Sequence, residues 1–424
     1  MKFENICVVG LGYIGLPTAT MFASRRKHVV GVDINQHAVD TISRGEIHIV
    51  EPDLDIAVHA AVKGGYLRAT TVPEKADAFL IAVPTPFRKD DADTCDGVPT
   101  PDLSYIQAAV RSIAPVLEKG NLIILESTSP VGATERMAAW LADERPDLTF
   151  PQQVGDQADI LIAHCPERVL PGRVMLELID NDRIIGGMTP RCATAACQLY
   201  KEFVRGACLL TDARTAEMAK LTENAFRDVN IAFANELSMI CEAEGINVWE
   251  LIELANRHPR VNILQPGPGV GGHCIAVDPW FIVSRNPDTA RLISTARRVN
   301  DLKPGWVLGK IVEELSALDG SDRRKKVGFY GLAFKADIDD TRESPAVKIV
   351  QEAARLLSAD ILVMDPYVKE LPASLIPVCD LVEFEKVRGE LDLLVVLVDH
   401  KPIKAWASDN LPGIPVIDTR GVWK

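Results

Sequence analysis

The chain lacks any apolar run long enough to cross a membrane. Runs such as residues 6–9 and 122–125 have only the length of a strand, whereas a membrane-spanning helix needs roughly 20 apolar residues. The first residues also lack the basic segment, apolar stretch and small-residue cleavage site of a secretory signal. We therefore expect a soluble protein that works in the cytoplasm and does not bind a membrane.

A basic surface and a metal-ligand pattern are missing too. The net charge of −13 argues against binding of nucleic acid, which requires a dense basic patch. The nine cysteines show neither the paired spacing of metal sites nor the density of a disulfide scaffold. No metal site is predicted, and most cysteines are expected to be small core residues. Two differ: Cys95 lies in a polar loop over residues 90–101, and Cys274 in a glycine-rich loop.

The order of predicted elements indicates an α/β protein of more than one domain. The length of 424 residues is enough for two or three domains. Strand-like and helical segments alternate near both ends of the chain, which predicts parallel sheets covered by helices. Residues 211–245 contain no proline or internal glycine and repeat apolar residues every three or four positions. This pattern predicts one long helix that ends at Gly245.

A glycine-rich turn between the first strand and the first helix indicates a dinucleotide site. Its residues are Gly10, Gly12, Tyr13, Ile14 and Gly15. Gly10 permits a tight turn, Gly12 lets the backbone approach a pyrophosphate, and Gly15 lets helix and strand pack closely. Asp33 follows the second strand roughly 20 residues on, where a carboxylate binds the adenosine ribose and disfavours a 2′-phosphate. The pattern predicts NAD as cofactor, although the glycines alone would also fit a turn without a ligand.

Two threonines follow other strands of the first sheet. Thr85 in AVPTPF and Thr128 in ESTSPVG are expected at the carboxyl edge, where ligands of open α/β sheets bind. Either residue would equally fit an ordinary turn.

The glycine-rich loop around Cys274 indicates chemistry on its thiol. Glycines such as Gly271 and Gly272, with prolines nearby, can bring backbone amides close to a reacting atom. A thiol in such a loop is a candidate nucleophile, and its activation would need a nearby cation or oriented amides. The alternative is a small buried residue, which is the common role of cysteine.

The long helix presents polar residues at helical spacing. Lys220, Asn224 and Arg227 are expected along one stripe, with Asp228 beside them. Such a stripe is more often a solvated face. Here it interrupts apolar residues on both sides, and a lysine and an amide beside an alcohol can stabilise an oxyanion or relay a proton.

Three basic residues lie in loop-like segments, where each could equally be an ordinary surface residue. They are Arg168 in CPERVLPG, His258 and Arg260. A ligand with two phosphates would need such donors in an acidic protein, because guanidinium groups bind phosphate oxygens in pairs.

Taken in order, the motifs resemble those of the UDP-sugar 6-dehydrogenase family along essentially the whole chain. The matching segments are GLGYIGLP, AVPTPF, ESTSPVG, CPERVLPG, AEMAKLTENAFRDVNIAFANEL, PGVGGHCIAVDP and GLAFKADIDDTRESPA. Within the family, the segment RHPRVNILQPGPGVGGHCIAVDPWF most resembles the branch that acts on UDP-N-acetyl-D-mannosamine.

This resemblance implies two Rossmann-like, doubly wound parallel-sheet domains joined by a long central helix. We expect an NAD-binding domain over residues 1–210, a central helical domain with the cysteine loop over 211–315, and a UDP-binding domain over 316–424. The family oxidises one sugar carbon twice, from alcohol to aldehyde to acid, and reduces two NAD. The resemblance further implies a homodimer through the central helix and a product used in surface polysaccharides.

Catalytic roles follow from the same resemblance. Cys274 would form a thiohemiacetal and then a thioester with the sugar carbon. Lys220 would act as acid/base or oxyanion stabiliser, while Asn224 and Asp278 would position the oxyanion and water. Glu167 and Thr128 would support proton transfer. The implied substrate contacts are Arg168, Val169, Lys220, Asn224, Arg227, His258, Arg260, Gly271, Phe334, Lys335, Arg342 and Arg420.

One departure from the family bears on the substrate. UDP-glucose dehydrogenases carry Pro-Lys-Asp shortly after the cysteine, whereas this chain reads Ala276, Val277, Asp278, Pro279, which disfavours glucose. UDP-N-acetylglucosamine remains an alternative substrate. A hydroxyacid dehydrogenase with one hydride transfer, or a non-catalytic sensor of NAD or nucleotide sugar, would not explain Cys274 in its loop together with a second α/β unit.

Overall fold

The chain divides into two compact units, residues 1–222 and 223–424. The computed structural model describes residues 2–88, 98–170, 172–272, 274–318, 323–411 and 413–423. Most of the polar loop at 90–101, with Cys95, lies outside these residues, as does His273. The predicted domain boundaries at 210/211 and 315/316 stay a prediction.

The first unit is built on a sheet with Rossmann order. Its strands are β1 (Asn5–Val9), β2 (His28–Val32), β3 (Leu67–Thr70), β4 (Ala78–Ile81), β5 (Leu122–Leu125), β6 (Leu161–His164), β7 (Arg183–Gly187) and β8 (Cys208–Asp212). Within the described residues they form one eight-stranded sheet in the order β3-β2-β1-β4-β5-β6-β7-β8. The first six strands are parallel, and β7 pairs antiparallel with β6.

Helices connect these strands and cover the sheet. They are α1 (Gly15–Ser24), α2 (Gln36–Ser43), α3 (Leu54–Lys63), α4 (Ser104–Ile113), α5 (Ala133–Glu144), α6 (Pro151–Val154), α7 (Val174–Asp180) and α8 (Pro190–Tyr200). The strands β4, β5 and β6 are buried along their whole length, as expected for apolar runs inside a parallel sheet. Two apolar clusters make up the core of this unit.

The second unit contains a parallel sheet of its own. Its strands are β9 (Lys325–Tyr330), β10 (Ala359–Met364), β11 (Asp380–Leu381), β12 (Leu393–Val396) and β13 (Val416–Asp418). In the described part of the chain they form a five-stranded parallel sheet in the order β11-β10-β9-β12-β13. The helices are α10 (Val248–Ala255), α11 (Asp278–Arg285), α12 (Arg291–Ala317), α13 (Pro345–Leu356), α14 (Phe384–Val387) and α15 (Lys401–Ala407).

The long predicted helix is α9 (Ala213–Glu244), which has 32 residues and runs through the boundary between the units. Gly245 follows it with a φ of 68°, the left-handed conformation that ends many helices. The predicted α/β fold, with two Rossmann-like sheets and a long central helix, is confirmed. None of the described helices combines the length and apolarity that a membrane span requires.

Candidate active site

The turn after β1 has the shape of a dinucleotide cradle. Gly10 has a φ of +93°, and a Cβ there would lie 2.5 Å from the Ala82 carbonyl oxygen. A Cβ on Gly15 would overlap the Gly10 carbonyl, whereas one on Gly12 would meet no atom within 4 Å. Gly10 and Gly15 therefore allow the turn to pack closely, while Gly12 leaves open space beside it. No side chain caps α1, so its amino-terminal amides can face a pyrophosphate.

Asp33 lies beside this cradle at the end of β2. One carboxylate oxygen accepts the Leu11 amide at 2.9 Å and the other accepts the Asn35 amide at 2.9 Å. Each oxygen retains a second lone pair with which it can accept a ribose hydroxyl. The half-exposed Tyr13 and Ile14 complete the turn. These residues fit NAD, which would bind with its pyrophosphate on α1 and its ribose at Asp33.

The two threonines at the sheet edge are neighbours. The Thr85 hydroxyl donates to the Thr128 carbonyl at 2.6 Å, and both residues are half-buried. This bond joins the segment after β4 to the segment after β5, so the structure brings both residues to the predicted carboxyl edge.

Glu167, just after β6, belongs to a buried charged cluster. Its carboxylate lies 2.9 Å from the guanidinium of Arg183, and one of its oxygens accepts the Arg168 amide at 2.7 Å. The Arg183 guanidinium also lies 4.6 Å from the ring centre of Tyr200, whose hydroxyl donates to Glu126 at 2.5 Å. Glu167 therefore pairs with the guanidinium directly, and Glu126 lies on the other side of Tyr200, all three within the buried interior of the unit.

Burial decides the protonation of Glu126 in this cluster. It raises the pKa of the Glu126 carboxyl to about 7, although Arg183 and the Tyr200 hydrogen bond act in the opposite direction. The second Glu126 oxygen finds no hydrogen-bond partner among the described residues. A protonated Glu126 would leave Arg183 and Glu167 as a neutral pair.

Other predicted residues of the first unit lie near Glu167 in the chain or on α9. Arg168 is half-buried and donates to the Asp182 carbonyl at 3.3 Å, and Val169 packs against the apolar core. Lys220 is buried on α9, with 8% of its surface exposed.

The residues of the polar stripe of α9 differ in burial. Asn224 and Asp228 are buried, whereas Arg227 is exposed, so the buried part continues through Asp228, and a substrate contact of Arg227 stays a prediction. Both residues lie about one turn from Asn224, and spacing alone could not separate them. Asn224 donates to Asp278 at 2.5 Å, which brings together two of the predicted catalytic residues.

Cys274 is exposed, directly before the start of α11. Its carbonyl oxygen accepts the amides of Val277 and Asp278 at 3.0 and 2.8 Å, which bends the chain into the helix. Asp278 is the first helical residue and is buried; a carboxylate at this end of a helix is favoured by the helix dipole. The thiol is therefore accessible, and a buried carboxylate follows it by one turn.

We call residues 267–277 the Cys274 loop, and its glycines contact the predicted UDP-binding residues. A Cβ on Gly271 would meet Phe334 Cβ at 3.1 Å, and one on Gly267 would lie 2.5 Å from Arg420 Nη1. Arg420 is fixed by Asp399, which accepts its Nε hydrogen at 2.8 Å. Phe334 and Arg420 therefore line the loop. Glycine is needed at Gly271, where a Cβ would also lie 2.6 Å from the Glu343 carbonyl oxygen.

The remaining predicted substrate residues are exposed. Arg342 pairs with Asp340 at 2.6 Å, Lys335 is exposed beside Phe334, and the Arg260 amide donates to His258 at 3.3 Å. Binding of the substrate by these four residues stays a prediction. Across the described residues no group of three or more His, Cys, Asp or Glu side chains could hold a metal ion.

Sequence reasoning missed the buried residues that support these groups. They are Glu126, Arg183, Asn235, Arg297 and Asn300. A charged residue that opens an apolar strand, as Arg183 does in RIIGG, was the available signal for one of them. The others lie in helical segments or beside strands, where a polar residue reads as solvent-facing.

Comparison with known proteins identifies the family. Three models of the UDP-glucose/GDP-mannose dehydrogenase family match in order: the NAD binding domain at residues 4–204, the central domain at 214–302 and the UDP binding domain at 328–424. The chain is 62% identical to UDP-N-acetyl-D-mannosamine dehydrogenase of Escherichia coli (strain K12) over 428 residues, covering 100% of both chains.

Two further proteins are similar over nearly the whole length. NDP-N-acetyl-D-galactosaminuronic acid dehydrogenase of Ralstonia nicotianae is 62% identical, with 100% of this chain and 97% of that one covered. The structure of UDP-D-ManNAc dehydrogenase from Pyrococcus horikoshii superposes with a TM-score of 0.86 at 40% identity, covering 99% and 96% of the two chains. The chain belongs to the UDP-glucose/GDP-mannose dehydrogenase family and is an NAD-dependent oxidoreductase.

Proposed function

We propose that this enzyme oxidises C6 of UDP-N-acetyl-D-mannosamine twice, from the alcohol to the carboxylate of UDP-N-acetylmannosaminuronate. The observation that carries the proposal is the exposed Cys274, followed by the Asp278 carboxylate that Asn224 binds at 2.5 Å. A thiol followed by a buried carboxylate and its amide partner suits the capture of an aldehyde, its oxidation to a thioester and the cleavage of that thioester by water.

The chain's own residues would act in sequence. The turn before α1 and Asp33 would hold NAD, which would supply the hydride acceptor for both oxidations. Lys220 would take the hydroxyl proton of C6 or stabilise the oxyanion, and Glu167 and Thr128 would support proton transfer. The Cys274 thiolate would add to the aldehyde carbon and give a thiohemiacetal, which oxidation converts into a thioester. Asp278, oriented by Asn224, would position the water that cleaves the thioester and releases the thiol.

The choice of sugar rests on similarity. Two relatives at 62% identity carry names with different N-acetylhexosamines, so overall identity does not select the epimer. The mannosamine sugar is supported by a relative that matches along its full length and by a solved structure of an enzyme named for the same substrate. The nucleotide and its pyrophosphate would be bound by basic residues and one aromatic residue, since guanidinium groups suit phosphate oxygens. These residues are Phe334, Arg420, Arg342, Lys335, His258 and Arg260.

The test is the ratio of NADH formed to sugar nucleotide consumed, with Cys274→Ser and Cys379→Ser compared with the wild type. Wild type and Cys379→Ser, whose thiol is half-buried elsewhere, should form two NADH per UDP-N-acetylmannosamine. Cys274→Ser should stop at or before aldehyde oxidation. A wild-type ratio of one, or full activity of Cys274→Ser, would contradict the thioester route.

Substrate choice is measured in the same assay. We expect turnover of UDP-N-acetylmannosamine to exceed that of the UDP derivatives of N-acetylglucosamine, N-acetylgalactosamine and glucose. Faster turnover of another sugar at the same ratio of two would retain the chemistry and correct the substrate.

We also propose a homodimer through α9. Phe226, Phe233 and Ile240 recur at seven-residue spacing and expose 68%, 51% and 50% of their surface. An apolar seam of this period suits packing against a second helix of the same kind. Phe233→Glu should produce monomers in light scattering, whereas Ile376→Glu, at an apolar residue of 65% exposure in the second unit, should not.

We also propose a cytoplasmic location, because a reducing compartment keeps a catalytic thiol from forming disulfides.

A further inference from the structure

The described residues of the Cys274 loop, 267–272 and 274–277, form no helix or strand of their own. The preceding helix α10 ends at Ala255, and the following helix α11 begins at Asp278. A nucleophile must nevertheless be placed closely, because a shift of about 1 Å can cost roughly 100-fold in rate. Something outside the loop must therefore fix its position.

Two side chains of α9 contact this segment directly, and a third acts on it through Arg297 of α12. Asn224 donates to Asp278 at 2.5 Å, beyond the end of the loop. Asn235 accepts the Gly267 amide at 2.9 Å, where the loop begins. Between them, Asp228 forms an ion pair with Arg297, whose Nη1 donates to the Ile275 carbonyl at 3.5 Å, directly after Cys274. The residues of α9 lie four and seven positions apart, which places them on one face of the helix.

The helix α12 completes these contacts from the other side. Asn300 donates to the Asp228 carboxylate at 2.8 Å and to the Asp228 carbonyl at 3.0 Å. Asn235 donates to the Asn300 side-chain oxygen at 2.8 Å. We call Asp228, Asn235, Arg297 and Asn300 the polar ladder.

The polar ladder can adopt few other arrangements. Each of its four side chains is buried to within 1% of full burial. A buried polar group left without its partner costs roughly 1–3 kcal/mol, so a network in which each member bonds the next favours one geometry. Helix packing alone would not require these residues, because apolar side chains of similar volume would fill the same space.

We propose that the polar ladder is a set of positioning residues for Cys274. It holds the loop at its first residue and directly after the thiol, while Asn224 holds Asp278. The proposal rests on the covalent function proposed above, and it adds residues that touch neither substrate nor cofactor. Arg297 and Asn235 act through the backbone of the loop, and Asp228 and Asn300 fix those two side chains.

The next pair along the same helices provides a matched control. Lys303 of α12 donates to the Ser238 hydroxyl of α9 at 2.6 Å, and its amine lies 3.7 Å from the ring centre of Trp306. The Ser238 hydroxyl also donates to the Asn235 carbonyl at 2.6 Å within α9, so the described hydrogen bonds of this pair stay within the two helices and do not involve the Asn235 side chain. Ser238→Ala therefore removes a bond between α9 and α12 without removing a contact to the Cys274 loop.

The experiment compares Asn235→Ala, Arg297→Lys and Ser238→Ala in the full-length enzyme. We expect the first two variants to lower kcat for oxidation of the aldehyde roughly 10- to 100-fold, with KM for the sugar nucleotide within about twofold. Ser238→Ala should retain kcat within about twofold, even where its melting temperature falls by as much as that of Asn235→Ala. Arg297→Met should lose more activity than Arg297→Lys, which retains a cation beside Asp228.

Amide hydrogen exchange of the peptide that contains residues 267–277 provides a second readout without ligands. Uptake of deuterium should rise in Asn235→Ala, which removes the acceptor of the Gly267 amide, and should not rise in Ser238→Ala. Unchanged kcat and loop exchange in Asn235→Ala would overturn the proposal, as would a kcat that tracks melting temperature equally in all variants. Full activity of Cys274→Ser would instead contradict the covalent function and, with it, any positioning of a nucleophile.

Discussion

The two α/β units begin with the same turn and use it differently. In each unit the first strand ends at a glycine with a left-handed backbone, Gly10 at +93° and Gly331 at +92°. In each, the next amide donates to an aspartate at the end of the second strand, at 2.9 Å to Asp33 and at 2.7 Å to Asp365. The shared turn therefore follows from the fold and carries no information about ligands by itself.

The helix that follows separates the two units. In the first unit α1 begins at Gly15, and no side chain caps it. In the second, α13 begins only at Pro345, and the Ser344 hydroxyl accepts the Ala346 amide at 3.2 Å. A helix amino terminus offers amides to phosphate only where its own side chains leave them open, so only the first turn suits a pyrophosphate in this way.

The two aspartates differ in the same sense. Asp33 is half-exposed and keeps lone pairs for a ribose, whereas the side chain of Asp365 is fully buried and lies 3.2 Å from His400. Burial opposes ionisation of Asp365, but the His400 contact and the amides of Leu332 and Tyr367 hold its pKa below the ordinary value. The first aspartate can therefore still accept a ligand, whereas the second is part of the core of its unit.

The largest effect is expected from filling the open space above the first turn. Gly12→Val adds a side chain where nothing lies within 4 Å, so the fold should be retained while NAD is displaced. We expect the Kd for NAD, measured by calorimetry, to rise roughly 100-fold, because backbone approach to the pyrophosphate needs glycine. Gly389→Val, at an open glycine of the second unit, is the control. Unchanged NAD affinity in Gly12→Val would place the pyrophosphate elsewhere.

Removing the two aspartates should separate binding from stability. Asp33→Ala should raise the Kd for NAD roughly tenfold, through loss of one or two hydrogen bonds of about 1 kcal/mol each. Asp365→Ala should lower the free energy of unfolding by roughly 3 kcal/mol, because it leaves three amides and His400 without their acceptor. Denaturant titration and calorimetry on both variants test this difference. Equal effects of both variants on NAD binding would contradict the distinction drawn between the turns.

One buried carboxyl in each unit should also make the stability of the fold depend on pH, and the two should do so in different pH ranges. Burial raises the pKa of Glu126 from 4.5 to about 7, so its protonated form stabilises the fold below pH 4.5. This contribution is lost as the pH rises through about 7. Asp365, whose pKa is lowered, contributes stability above its unfolded value of 3.8, and that contribution is lost only at lower pH.

Between pH 5 and 8, Glu126→Gln should therefore flatten the decline in stability that Glu126 causes, by at most about 3 kcal/mol. Melting temperatures of wild type and variant across this range measure the difference. Lys303, whose pKa burial lowers to about 7, is present in both proteins and so does not alter the difference. Glu370→Gln, at an exposed carboxylate, should follow the wild type, and parallel curves for Glu126→Gln would show that Glu126 does not titrate there.

The smallest expected effect concerns the capped helix of the second unit. Ser344→Ala removes the cap of α13 and should cost about 1 kcal/mol of unfolding free energy. NAD affinity should not change, because the capped turn is in the unit that lacks the cradle. Denaturant titration with and without NAD tests both parts, and a change in the stabilisation by NAD would contradict the second.

The sequence predicted features that depend on neighbouring residues in the chain. The glycine cradle, Asp33, the long helix and its end at Gly245 are all local patterns, in which propensity and spacing act together. The placement of Phe334 and Arg420 against the loop came instead from the family resemblance, because residues that far apart in sequence give no signal of contact.

The supporting residues could not be predicted for a physical reason. Arg183 and Glu167 meet because β6 and β7 are adjacent in the sheet, which no local pattern specifies. On α9, Arg227 and Asp228 lie at equivalent spacings from Asn224, and which one is buried depends on Arg297 of α12. A polar residue in a helix looks solvent-facing until its partner is known.

The polar face of α9 limits how this protein can change in length. A helix turns by about 100° and advances about 1.5 Å with each residue. An insertion or deletion of one residue between Asp228 and Asn235 would carry Asn235 away from the Gly267 amide, while leaving the Asp278 contact of Asn224 intact. We therefore expect natural relatives to keep the interval from Asn224 to Asn235 free of gaps, and to vary in length elsewhere.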